Sequence, residues 1–278
     1  MSYLTFLDIE DGLKEAVYSS WLPQGKSIVS KLKTAVKDRD ENGIADAIDK
    51  LNFTKATVKA EGKVEALMAM SLVYGAHFAG GTTANSVFTG PSGELPDQLN
   101  TAAACYMNIF TQAATQYIKR EATKSALECM HVVSTDTLKK AEMVFAEDDV
   151  VTALNNAVLG NARMMSDIAA NLSTSRLVSY GFLAEAKARG IVEYQLQAVL
   201  DKRTSKVCRH LNGRTFKVET SFAYLDRVLQ ITDPEELKVM APFVKSTKAS
   251  INELENMSDA ELQARGIMVP PFHPNCRT

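Results

Sequence analysis

Apolar residues recur at three- and four-residue steps from Leu4 to about Arg189, which predicts an almost wholly helical first two thirds of the chain. Leu99, Ala103, Tyr106, Phe110, Ala113 and Tyr117 lay one apolar stripe along a helix. Val151, Leu154, Val158, Met165, Ile168 and Leu172 lay a second, with Asp148 and Asp149 just before it, where a helix N-terminus favours negative charge. The most apolar window, VEALMAMSLVYGAHFAG from Val64, carries Glu65 and His77 and falls short of the roughly 20 clean residues of a membrane span. It reads as a buried helix. The run from Gly75 to Gln98 holds five of the 14 glycines, Gly75 included, and two of the 8 prolines, so a long irregular loop is expected there. No Lys follows its glycine-rich turn, and the phosphate-cradling pattern G-x-x-x-x-G-K-[ST] is absent.

After Gly190 the pattern changes. IVEYQLQAVLD alternates and is rich in β-formers, SKVCRHLNG reads as a helical turn ended by Asn212-Gly213, and RTFKVE alternates again. That is a strand, short helix, strand unit. From Ser221 to Gly266 helices return, with Asp233-Pro234-Glu235-Glu236 and Ser258-Asp259-Ala260-Glu261 as helix starts. The last segment, MVPPFHPNCRT over 268–278, is stiffened by Pro270, Pro271 and Pro274 where most chains are loosely composed. The expected fold class is therefore α+β: a mainly α-helical module over 1–189, then a small α+β module over 190–278 closed by that tail.

Composition narrows the function. With 46% hydrophobic and 23% charged residues over 278 positions, the chain can bury a real core. A net charge of −2 argues against a protein that coats nucleic acid everywhere, yet residues 187–227 hold nine Lys and Arg against four acids. Within that stretch Lys202, Arg203, Lys206, Arg209, Arg214 and Lys217 are candidate contacts to phosphates or to an acidic partner. Asp8, Glu10 and Asp11 interrupt the N-terminal apolar stretch, so no secretion signal is visible and a protein made in, or packaged from, a cytosol is expected.

Four cysteines without export read as thiols or metal ligands rather than a disulfide framework. Cys105 and Cys129 fall in helical patterns and read as small buried hydrophobes. Cys208, His210, His273 and Cys276 supply two thiols and two imidazoles, a set sufficient for tetrahedral zinc. Against that, Cys208 and His210 would project about 200° apart on one helical turn, and Ser205 stands where a C-x-x-C pair would need a cysteine. The alternative is that Cys208 and Cys276 pack together as thiols while His273 hydrogen-bonds to backbone. Thr204 or Ser205 can cap the short helix, and Asp201 with Arg209 or Arg277 could fasten the tail by an ion pair.

Two other motifs carry less. Asp38, Asp40, Asn42, Gly43 and Asp46 match calcium-loop spacing, but Asp49 replaces the bidentate Glu and GIADAIDKL reads as a helix, which favours an acidic helix–turn–helix. NLSTSR at Asn171 has the Ser-Thr-Ser of ADP-ribosyltransferases but no following Glu-x-Glu and a helical pattern. No other catalytic motif is recognisable in the sequence.

Taken in order, Asp201, Arg203, Thr204, Cys208, Leu211 and Gly213, followed by Pro270, Pro271, His273, Pro274, Cys276 and Arg277, resemble the phage Mu F-like family of minor head proteins, also called phage head morphogenesis proteins. The resemblance covers about residues 185–278 and departs at Ser205 and Thr278, where many relatives carry a further cysteine. It implies a structural protein of a tailed-phage virion rather than an enzyme. Its partners would be the portal and major capsid proteins, and packaged DNA through the basic face. The tail would then be a stiff strand docking His273, Cys276 and Arg277 against the Asp201 to Gly213 turn. The competing expectation is a metal-dependent nuclease or related enzyme built on the Cys/His set.

Overall fold

The structure, a computed structural model, describes residues 5–58, 61–79, 97–134, 140–276 and 278. Positions 80–96 of the expected loop, the side chains of Leu99, Ala103, Cys105 and Tyr106, and Arg277 lie outside the described residues. The helices are α1 (Phe6–Asp38), α2 (Glu41–Asp49), α3 (Phe53–Val58), α4 (Glu61–Ala79), α5 (Asp97–Ser134), α6 (Lys140–Asn155) and α7 (Asn161–Ala188). One π-helical turn, Asn156–Gly160, separates α6 from α7. Then come β1 (Glu193–Gln195), α8 (Lys206–Leu211), β2 (Thr215–Lys217), α9 (Val218–Leu229), α10 (Pro234–Met240), α11 (Lys248–Asn256) and α12 (Asp259–Ala264). This is a mainly helical α+β fold whose small antiparallel sheet lies in the C-terminal region.

The chain divides into two compact units: one of residues 1–14, 62–109 and 168–278, the other of 15–61 and 110–167. The change of pattern at Gly190 falls inside the first. In the second unit, Trp21 stacks on Phe53 with ring centroids 4.8 Å apart, and its indole N–H donates to Thr57 Oγ1 at 2.8 Å. Gly25 meets the π turn so closely that a Cβ there would come within 2.6 Å of Leu159 Cδ2. Asp40 sits at the N-cap of α2 with α1 ending at Asp38, so the calcium-loop spacing is a helix–turn–helix.

In the first unit, α4 and α7 cross backbone to backbone. A Cβ on Gly75 would lie 1.9 Å from the Val178 carbonyl oxygen, and one on Gly181 equally close to that of Leu72. The expectation that Gly75 opens a loop is thus corrected. It is a helical residue selected for close approach, and α4 runs on to Ala79. The NLSTSR run lies wholly buried within α7, where Asn171 Nδ2 donates to Glu10 Oε2 at 3.1 Å.

Two stripe registers also differ from expectation. On α5 the buried line is Met107, Thr111, Ala114, Ile118 and Ala122, while Phe110, Ala113 and Tyr117 are half-buried beside it. The face is rotated by one residue, about 100°. α6 starts at Lys140, so Asp148 and Asp149 lie mid-helix. The π turn then advances the phase: past Val158 the buried line runs Ala162, Ser166, Ala169 and Ser173, leaving Met165 and Ile168 half-buried.

The C-terminal elements follow local signals. Glu193 pairs with Lys217, Tyr194 with Phe216 and Gln195 with Thr215. Ser205, Asp233, Thr247 and Ser258 cap α8, α10, α11 and α12, and Ser258 completes a capping box with Glu261. Asp259 ties α12 to β2, accepting from Arg214 Nη1 at 2.8 Å and from the Thr215 amide at 3.1 Å. α7 packs on the same region: Tyr180 donates to Asp226 Oδ1 at 3.0 Å, and Lys187 pairs with Glu219 at the same distance.

Candidate functional site

The Asp201 to Gly213 segment is a turn held by its own side chains. The Arg203 amide donates to Asp201 Oδ1 at 2.8 Å, the Asp201 amide to Thr204 Oγ1 at 2.7 Å, and the Thr204 hydroxyl to the Val199 carbonyl. Ser205 then starts α8, its Oγ accepting from the Cys208 amide at 3.1 Å. Leu211 is fully buried, and Gly213, at φ +84°, takes the left-handed position past the helix end. Asp201, Thr204, Cys208, Leu211 and Gly213 thus have folding tasks, whereas Arg203 contributes its main-chain amide. Arg209 is likewise spent on the turn, donating to the Asp201 and Thr204 main-chain carbonyls, so the expected pairing with Asp201 is made through backbone.

The tail meets this turn, though not as a strand. Pro270, Pro271 and Pro274 have no amide hydrogen to donate to a ladder, and the described residues from Met268 onward form bends and turns. They are nonetheless held tightly. Met268, Val269 and Phe272 are 2%, 4% and 3% exposed, and Pro270 and Pro271 are buried. The Tyr194 hydroxyl donates to the Met268 carbonyl at 2.7 Å, and the Val244 amide to that of Phe272 at 3.0 Å. Tyr194 thereby links β1 to the tail, a contact that no sequence signal marked.

Docking brings Cys208, His273 and Cys276 into one cluster whose ligand atoms all lie within 4.8 Å of one another. Cys208 Sγ is 3.0 Å from His273 Nε2 and 3.6 Å from Cys276 Sγ. His273 Nδ1 donates to the Pro274 carbonyl at 2.7 Å, which turns Nε2 toward Cys208 and toward Ser205 Oγ, 2.8 Å away. Both sulfurs are buried, Cys276 completely, while Cys208, Ser205 and His273 line a shallow pocket with Arg203, Thr204 and Asn275. His210 is not in this cluster. It points the other way on α8 and accepts from Arg214 Nη2 at 3.3 Å, as the 200° separation along the helix requires. The four-residue zinc set is thus corrected to three.

The protons are divided unequally. Hydrogen bonds from the Cys276 thiol, then from His273 and Ser205, draw the Cys208 thiol well below its ordinary range. The neighbouring Cys208 sulfur and burial push Cys276 up. Contact with Cys208 raises His273 despite its burial. The favoured arrangement is a Cys208 thiolate between an imidazolium and a thiol. Tetrahedral zinc bonded at about 2.3 Å to sulfur and about 2.0 Å to nitrogen sets ligand edges of about 3.5 to 3.8 Å. The two edges at Cys208, 3.6 and 3.0 Å, fit with a shift of roughly half an ångström and the third lies within 4.8 Å, so these three residues could hold a metal ion.

Of the basic candidates, Arg214 is engaged with Asp259 and His210, whereas Lys202, Arg203, Lys206 and Lys217 are exposed. Cys129 is a buried free thiol, as expected. Among the described residues no helix is long and apolar enough to cross a membrane. The fold and the site together define a helical protein that ends in a small α+β clasp closed on a Cys-His-Cys cluster. Comparison with protein-family models, curated proteins and solved structures gave no match.

Proposed function

We propose that this protein is a minor head protein of a tailed bacteriophage. It associates with the portal and major capsid proteins during head morphogenesis and resides in the virion, at the portal vertex or inside the head, after assembly in the host cytoplasm. The observation that carries this reading is the meeting of the two halves of the Mu F-like motif. Cys208, after the Asp201 turn, and His273 and Cys276, in the tail, are more than 60 residues apart in sequence yet touch. In the same reading Cys208, His273 and Cys276 hold a structural zinc that pins the tail, and exposed Lys202, Arg203, Lys206 and Lys217 face DNA or an acidic protein surface.

The test is affinity capture of the tagged full-length protein from infected cells, with the stoichiometry of what accompanies it. Portal and capsid subunits in excess over the tagged chain are expected. Recovery of the protein alone would overturn the reading. Metal-dependent cleavage of DNA or RNA that is lost in His273→Ala would replace it with the nuclease alternative.

A further inference from the structure

We propose that Cys208 and Cys276 form a modification site, a dithiol that closes to an intramolecular disulfide by exchange with a small disulfide such as oxidised glutathione. The two sulfurs sit 3.6 Å apart, and about 1.5 Å of approach, shared between two side chains, brings them to bonding distance. Their surroundings differ in a way that sets the order of events. Cys208 lines the pocket beside Arg203, Thr204 and Asn275, whereas Cys276 is fully buried behind it. A disulfide entering from solvent meets Cys208 first. Cys276 is placed only to resolve the product.

The exchange runs in two steps. The Cys208 thiolate, 3.0 Å from His273 Nε2, attacks one sulfur of the incoming disulfide and expels the first thiolate. Cys276 then attacks Cys208 Sγ, the bond to the glutathionyl sulfur breaks and the second thiolate leaves. The protons of Cys276 and His273 end on the two released thiols. Two protein thiols have been oxidised and one small disulfide reduced to two thiols. The new bond spans the turn and the tail, which fixes covalently the closure that Phe272 and Tyr194 hold by packing and hydrogen bonding.

The same two sulfurs serve either a metal or a disulfide, never both, so oxidation releases any ion the cluster holds. Export in a particle from a reducing cytosol to an oxidising exterior would supply the conditions for closure. That setting rests on the head-protein reading; the chemistry does not.

The experiment treats the chelator-washed full-length protein with oxidised glutathione at neutral pH and maps its peptides by mass spectrometry without reduction. A Cys208–Cys276 linkage is expected, with Cys129 unmodified. Cys276→Ser should accumulate a glutathione adduct on Cys208, while Cys208→Ser should leave Cys276 unmodified. The proposal is overturned if the wild-type map shows both cysteines as free thiols or as separate adducts, or if the adduct in Cys208→Ser forms on Cys276. The wild-type map requires no variant to fold. It is also independent of the capture from infected cells, so the two readings fail separately.

Discussion

Replacing Phe272 by alanine should undock the tail without melting the rest of the protein. Phe272 is 3% exposed among residues of its own compact unit, and its main-chain carbonyl accepts from Val244, so the ring is committed to the clasp. Truncating a buried Phe costs about 3 to 5 kcal/mol, the lower figure applying where a segment can settle into the space. At about 1.4 kcal/mol per tenfold, the open population of the tail should rise by a factor on the order of a hundred to several thousand. Thiol labelling reads this directly. Cys276 is 0% exposed and reacts only when the tail opens, whereas Cys208 is also reached from the pocket it lines. Cys129, buried in the other unit, is the internal control, and Trp21, the single tryptophan, lies in that unit too, so its fluorescence should not follow the tail. Labelling of Cys276 in Phe272→Ala within threefold of wild type, with Cys129 unchanged, would falsify the clasp.

Four further outcomes are expected. Tyr194→Phe removes the donor to the Met268 carbonyl and should cost about 1 to 2 kcal/mol, speeding the same labelling roughly tenfold. In chelator, tail protection should be greatest near neutral pH. Cys208, lowered in the folded state, contributes stability that is lost as pH falls through its folded pKa. His273 and Cys276, both raised, contribute stability complete below their unfolded pKa values and lost as pH rises through the folded ones. Hydrogen exchange of the tail amides from pH 4 to 10 should therefore show two flanks, and a monotonic profile would reject the assignment. Zinc titration should raise the melting temperature in wild type and in His210→Ala but not in His273→Ala or Cys276→Ser; equal loss in His210→Ala would restore the four-residue set. Gly181→Ala should destabilise the protein by about 1 to 3 kcal/mol or more in thermal unfolding, since its Cβ cannot coexist with the Leu72 carbonyl; an unchanged midpoint would rule out the close crossing.

What could be read from the sequence was mostly local. The caps at Asp233 and Ser258, the end of α8 at Asn212-Gly213 and the two short strands each depend on residues within one turn of each other. The exclusion of His210 was also legible, because helical geometry alone separates it from Cys208. Gly75 was not. A glycine in an apolar helix reads as a breaker until its partner is known, and its partner is the backbone around Val178, about 100 positions later. The phase of the α5 stripe was lost for a related reason: Thr111 and Ala114 occupy the buried line where Phe110 and Tyr117 looked the stronger candidates. Small residues mark close packing only when the opposing surface is in view.

The tail shows how a correct reading of order can accompany a wrong reading of form. Proline density signalled a fixed conformation, and the segment is fixed, yet the same prolines deny it the amide donors a strand would need. Order therefore has to come from side chains. Val269 and Phe272 supply burial, the Met268 and Phe272 carbonyls accept from Tyr194 and Val244, and His273 and Cys276 complete the cluster begun by Ser205 and Cys208. A closure built this way resists no hydrogen-bonded ladder when it opens, so its strength is set by a handful of groups, two of which are thiols. A metal ion, a proton or oxidation would each act on those same groups. That makes the Cys208–His273–Cys276 cluster the place where the environment of this protein can decide whether its C-terminal module is shut.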